Sequence, residues 1–123
     1  MSAPQESPQE LFGLRLAHVG INGGTPEEAS SLADSFAFLG LAKAETPVSF
    51  FAGSEVEVMK GSGRGERGHI GFAVDDIDAA ERWFAGHGHA FLEDSRVRNP
   101  DGTTHLIYFA QDLGGFAVHL VQD

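Results

Sequence analysis

Gly68-His69-Ile70-Gly71-Phe72-Ala73-Val74 decides the fold. Successive side chains of a strand point to opposite faces, so Ile70, Phe72 and Val74 share one face and His69, Gly71 and Ala73 the other. The first face suits a covering helix. The second pairs a histidine with very small residues, which makes it polar and roomy, as the wall of a cavity would be. The phrase has an earlier counterpart in His18-Val19-Gly20-Ile21-Asn22. There Val19 and Ile21 form the apolar face, and His18, Gly20 and Asn22 the open one.

The rest of the chain repeats around these two strands. After the first, Thr25-Pro26-Glu27-Glu28 reads as a helix start, with Thr25 as N-cap and Glu28 three residues later. A helix is expected from there to about Leu39, burying Leu32, Phe36 and Leu39, and ending at Gly40. Short strands are expected near 42–45, 48–52 and 55–60. Gly61 to Gly68 holds four glycines and reads as a linker. After the second strand, Asp75-Asp76-Ile77-Asp78 offers several N-caps. A helix to about Ala85 follows, with Ile77, Ala80 and Phe84 as its apolar stripe. Strands near 90–97, 104–110 and 116–122 close the chain, with a turn at Asn99-Pro100-Asp101-Gly102. Seven positions separate His18 from Thr25, and seven separate His69 from Asp76.

The order is therefore βαβββ twice. The expected fold is α+β, with two modules forming one cupped, eight-stranded mixed sheet and helices on its convex face. Module one is residues 13–60, the linker 61–67 and module two 68–123. Residues 1–12, rich in Ser, Pro, Gln and Glu, read as a flexible tail.

Composition bounds the function. A chain of 123 residues with 41% hydrophobic content and ten Phe is long enough for one real core. A net charge of −10 argues against nucleic acid and acidic membrane surfaces, which need a basic face. The lack of cysteine excludes disulfides and thiolate metal sites, and fits the cytoplasm. No apolar run approaches the roughly 18 residues of a membrane span, and the start has no secretory pattern.

Within each module, the first and last strands each carry one potential ligand. These are His18 and Glu57 in module one, His69 and His119 in module two. Alternation sends all four to one side of the sheet. A lone strand histidine is ordinarily a hydrogen-bonded structural residue. Four such groups at matched positions point instead to one divalent metal such as Zn, Ni, Co, Mn or Fe. Five of the eight basic residues fall in two loops: Lys60, Arg64 and Arg67, then Arg96 and Arg98. They are expected either to clamp a substrate anion or to be plain solvated charge. Tyr108 and His105 have opposite parity on the strand beside His119, so one of them faces the cup.

The doubled βαβββ order, the two strand-opening histidines and Asp112-Leu113-Gly114-Gly115-Phe116-Ala117-Val118-His119 resemble the vicinal oxygen chelate superfamily. That superfamily includes glyoxalase I, methylmalonyl-CoA epimerase, extradiol dioxygenases and bleomycin-binding proteins. Its usual closing phrase is Asp-Pro-x-Gly-x-x-x-Glu. Here Leu113 stands for Pro and His119 for Glu. Phe51-Ala52-Gly53, Val56-Glu57-Val58-Met59-Lys60 and Gly114–Gln122 also resemble the C-terminal module of some 2-keto-3-deoxy-6-phosphogluconate/4-hydroxy-2-oxoglutarate aldolases. The resemblance implies a metal site on a cupped sheet. It implies a glyoxalase-like isomerase or lyase acting on a small oxo or hydroxy acid through two metal-chelating oxygens. With His119 where the family has its glutamate base, Glu57 is the only carboxylate in the expected ligand set, so Glu57 or a metal-bound water would move the proton. The alternatives are a non-catalytic, bleomycin-resistance-like binding protein and a metal-bearing regulatory module that partners a sugar-acid aldolase. The family further suggests a homodimer, with modules paired within a chain or swapped between chains.

Overall fold

The computed structural model describes residues 6–61 and 63–123. The first module contains β1 (Arg15–Asn22), α2 (Pro26–Ser35), β2 (Lys43–Glu45), β3 (Ser49–Ala52) and β4 (Val56–Met59). The second contains β5 (Gly68–Ala73), α3 (Ile77–Gly86), β6 (Phe91–Arg98), β7 (Thr104–Phe109) and β8 (Phe116–Val121). The eight strands form one sheet in the order β2-β3-β4-β1-β5-β8-β7-β6. The modules meet within the chain where β1 pairs antiparallel with β5. Within each module the first strand runs parallel to the last. Among the described residues, no helix is long and apolar enough to cross a membrane.

Each helix covers its own module. Ile77 and Ala80 of α3 are buried with Val74, Ile107 and Leu120, and Phe72, Phe84 and Phe109 pack around them. Ala29 and Ala33 of α2 are buried with Phe50 and Val58, and Leu32 packs against that cluster. Thr25 and Asp76 cap the two helices, accepting from the backbone N–H of Glu28 and Ala79.

Two expectations change. The first helix does not continue to Leu39 as an α-helix, because residues Phe36–Leu39 form a 3₁₀ turn. A 3₁₀ turn advances by about 120° per residue instead of 100°, which rotates Leu39 off the buried stripe. Leu39 is 58% exposed, and the stripe runs through Ala29, Leu32 and Ala33. The tail expectation for 1–12 also needs revision, since Pro8–Phe12 form a short helix, α1. Residues 1–5 lie outside the described residues. Ser7-Pro8-Gln9-Glu10 carries the same start signal as Thr25-Pro26-Glu27-Glu28, with Ser7 Oγ accepting from the Glu10 N–H. Phe12 then sets its ring edge-on to Trp83 of α3 at 6.1 Å.

Candidate metal centre

Two rows of cross-strand neighbours on the concave face carry the converging side chains. In the first row Phe51 lies beside Glu57, Glu57 beside Gly20, and Gly20 beside His69. In the second, Tyr108 lies beside His119, His119 beside Gly71, and Gly71 beside His18. Both rows thus read aromatic, ligand, glycine, ligand. In each, the last ligand comes from the other module. The glycines leave room for imidazoles: a Cβ on Gly20 would lie 2.0 Å from the His69 ring, and one on Gly71 would lie 2.6–2.7 Å from His119 and His18.

The four groups meet at one point. His18 Nε2 lies 3.1 Å from His69 Nε2 and 3.2 Å from His119 Nε2. Glu57 Oε1 lies 3.1 Å from His69 Nε2 and 3.6 Å from His18 Nε2. The three imidazoles alone form a group whose ring nitrogens all lie within 4.8 Å of one another. Glu57 joins that group through His18 and His69.

Hydrogen bonds among themselves cannot satisfy these groups. His18 Nε2 carries at most one hydrogen, yet three polar atoms surround it. His119 Nδ1 faces its neighbour's carbonyl, Leu120 O, at 3.3 Å, which directs the Nε2 lone pair inward. His69 Nδ1 is buried without a partner. A single cation resolves the conflict. Donors about 2.1 Å from one ion at 90–109° lie about 3.0–3.4 Å from each other, which matches the shorter contacts here. The residues present therefore fit a divalent metal.

The electrostatics agree with this fit. Burial pushes the His18 imidazole below its ordinary value, against the pull of Glu57. Burial likewise takes His119 down to about 3, helped by His18. Both are neutral and ready to ligate across the physiological range. Burial pushes the Glu57 carboxyl up, but hydrogen bonds from His69 and Ser49 outweigh it, so Glu57 titrates below the usual carboxylate value. Ser49 Oγ donates to Glu57 Oε2 at 2.7 Å and itself sits 2.7 Å from Thr46 Oγ1. Such outer partners fix a ligand's orientation. Ser49 and Thr46 carried no sequence signal, because their role depends on the β3–β4 register.

The expected substrate residues divide sharply. Tyr108 faces the cup, its ring 4.9 Å from His119 and 6.4 Å from His69. Burial and Glu57 raise its phenol to about 12, so it stays protonated. His105 points the other way and holds Gln122 O at 2.8 Å. Arg96 binds both oxygens of Glu81 on α3 at 2.7 and 2.8 Å, with Glu93 and Thr104 as further acceptors. Arg98 donates to Gly102 O inside its own hairpin. Lys60 pairs with Glu45 at 2.6 Å and lies over Phe50, part of the helix-side core. None of these three cations reaches the cup. Arg64 of the linker does approach it, with its guanidinium 5.3 Å from the Tyr108 ring.

Two of the cavities lie against opposite faces of the sheet. The larger, about 550 Å³, lies on the helix side against Phe72, Phe84 and Leu120, and holds none of the converging groups. The smaller, about 450 Å³, is lined by Arg64, Leu92, Tyr108 and Asp112. It too holds none of the converging groups, but Tyr108 lines it with its ring 4.9 Å from His119, so it opens beside the cluster.

Searches by sequence find no matching protein family and no matching curated protein. Solved structures do match. A Streptomyces coelicolor methylmalonyl-CoA epimerase variant in complex with 2-nitronate-propionyl-CoA is 17% identical, with a TM-score of 0.64 over 89% of this chain and 96% of that one. The Mycobacterium tuberculosis methylmalonyl-CoA epimerase is 16% identical, with a TM-score of 0.63 over 87% of this chain and 86% of that one. A hypothetical protein from Bacillus halodurans C-125 is 17% identical, with a TM-score of 0.61 over 89% and 94%. These likenesses are of fold: the epimerases belong to the vicinal oxygen chelate superfamily, and this chain shares their glyoxalase-like arrangement. The likeness to an aldolase's C-terminal module finds no support among them.

Proposed function

We propose that the chain is a divalent-metal enzyme of the isomerase or lyase type. On this reading it removes a proton beside a carbonyl of a small oxo or hydroxy acid. One observation carries the reading: three imidazole nitrogens and one carboxylate oxygen, from four strands of two modules, converge at 3.1–3.6 Å around a point that hydrogen bonds cannot satisfy. His18, His69, His119 and Glu57 would hold the ion. When bound, it would polarise a substrate carbonyl and orient two neighbouring oxygens.

The chain's own residues supply the rest. Glu57 is the only carboxylate among the four and keeps 12% of its side-chain surface, so it can both ligate and accept a proton. Ser49 keeps its second oxygen oriented throughout. The Tyr108 hydroxyl, protonated at neutral pH, donates to a substrate oxygen at the wall of the groove. A sequestering protein would not need four converging ligands. Epimerases seen with methylmalonyl-CoA and with a propionyl-CoA nitronate make coenzyme A thioesters worth testing after the free acids. We place the enzyme in the cytoplasm as a homodimer, on the absence of cysteine and the resemblance to glyoxalase-like proteins.

Elemental analysis of untagged protein is expected to find about one divalent ion per chain. The metallated protein is expected to exchange substrate α-protons with deuterated water. Glu57→Gln should keep the fold and lose roughly 10²-fold or more of that exchange. Protein that takes up no divalent metal would sink the reading, and exchange unaltered in Glu57→Gln would remove Glu57 as base.

A further inference from the structure

The linker between the modules is a built part of the site. Asn22 sits on the concave face of β1, where the second module has Ala73. Its Oδ1 accepts the Gly63 N–H at 3.1 Å, and its Nδ2 donates to Gly65 O at 3.0 Å. One amide therefore grips the chain on both sides of Arg64. Gly65 has a φ of +84°, and a Cβ there would lie 2.0 Å from Gly68 O, so the turn admits no side chain. Arg67 N–H donates to Gly115 O at 2.8 Å and ties down the far end. Within this clamp the Arg64 guanidinium lies over the Tyr108 ring.

Arg64 is not committed elsewhere. Its ion pair with Asp94 is 3.9 Å long, and both side chains are largely exposed, 42% and 81%. Such a pair is weak and readily exchanged. The contrast is Arg96, whose carboxylate contacts are 2.6–2.9 Å. The other charged groups at the groove are acidic, since Asp112 lines it and Asp94 borders it. In a chain of net charge −10, that groove would repel an anion without Arg64.

We propose that Arg64, positioned by Asn22, is an anion subsite, and that the substrate carries an anionic oxygen group beyond the two oxygens directed at the histidines. This rests on the metal-enzyme reading above and narrows its substrate class to acids with a charged tail. Guanidinium recognises carboxylate and phosphate alike.

The test is calorimetric binding to the cobalt-loaded full chain, using matched probes. Oxalate chelates metal and has no tail. The pair 2-oxovalerate and 2-oxoglutarate differs by a terminal carboxylate, and the pair glycerate and 3-phosphoglycerate by a phosphate. The wild type should favour the charged member of one pair by about tenfold or more, the size of one hydrogen-bonded charge contact. Which pair responds tells carboxylate from phosphate. Arg64→Gln should bring that ratio to about one with oxalate affinity unchanged, and Arg64→Lys should restore part of it. Asn22→Ala should lower the ratio although Arg64 is present. No preference in either pair, or a ratio unchanged in Arg64→Gln, overturns the proposal while leaving the metal site standing. Failure of oxalate to bind the cobalt-loaded wild type strikes the metal-enzyme reading itself, and the subsite falls with it.

Discussion

The two rows across the concave face share a framework and differ in chemistry. Phe51–Glu57–Gly20–His69 and Tyr108–His119–Gly71–His18 occupy matched places in the two modules. The glycines are the same, and each row ends on a histidine from the other module. The aromatic and the first ligand change. Where module one has Phe51, module two has a hydroxyl; where module two has the imidazole of His119, module one has a carboxylate. Symmetry builds the pocket, and these two exchanges polarise it. The wetter ligands, His18 and Glu57, keep 17% and 12% of their side-chain surface, whereas His69 and His119 are buried. Glu57, the proposed proton acceptor, is thus on the accessible side, and the hydroxyl and Arg64 line the neighbouring groove.

Adding one methyl group is the strongest way to break the shared framework. A Cβ at Gly71 presses on two imidazoles, one from each module, at 2.6–2.7 Å, while the nearest atoms to a Cβ at Gly20 all belong to His69, at 2.0–2.5 Å. Overpacking typically costs about 1–3 kcal/mol, and here it falls on ligand positions. Cobalt affinity should drop by about 10²-fold in Gly71→Ala, and less in Gly20→Ala. No loss in either variant would mean that the imidazoles can step aside and that the glycines are not what shapes the centre.

Much of this was legible because a strand has period two. His18, Glu57, His69 and His119 could be sent to one face from alternation alone, and the repeat fixed their pairing. The arginines were not legible. Arg96 finds Glu81 only because the tertiary fold brings a β6 side chain to α3, and no local pattern encodes that meeting. Arg64 depends on a grip by Asn22, which lies 41 residues from Gly63. Glycine content suggested a passive linker, since sequence cannot tell a flexible run from one whose glycines are needed for close approach. The short helix at Pro8–Phe12 was readable from Ser7 and Glu10, but the polar composition around it masked the signal.

A smaller effect should separate the two rows in acid. In the metal-free folded protein burial pushes His119 down to about 3, whereas a histidine of the unfolded chain keeps its ordinary value of about 6.5. Between those values the unfolded state binds more protons, so stability falls as pH falls. The folded protein should lose about 2 kcal/mol between pH 8 and pH 5 from this residue, read by urea unfolding. His18 acts in the same direction. Glu57 acts in the same direction over a lower window: its lowered value contributes stability that is present above the usual carboxylate range and is lost in stronger acid. His119→Gln should flatten the slope between pH 8 and 5. A slope unchanged in that variant would place the acid sensitivity elsewhere.

The last comparison, which ends on the smallest change, concerns the helices behind the rows. Helix α3 packs a large residue, Phe84, edge-on to Phe109 at 5.1 Å. Helix α2 packs through alanines and then gives way to the 3₁₀ turn, which leaves Phe38 and Leu39 at 84% and 58% exposure. A continuous α-helix would have put Leu39 on the stripe with Leu32 and Phe36. The turn therefore makes opposite demands on two apolar residues that look alike in sequence. Phe84→Ala removes a packed ring and should cost about 3 kcal/mol. Leu39→Gln removes nothing that is buried and should change stability by no more than about 0.5 kcal/mol. Urea midpoints at constant m-value read both changes on one scale. A Leu39→Gln cost approaching that of Phe84→Ala would mean that the helix runs on in solution and that the two modules bury their helices alike.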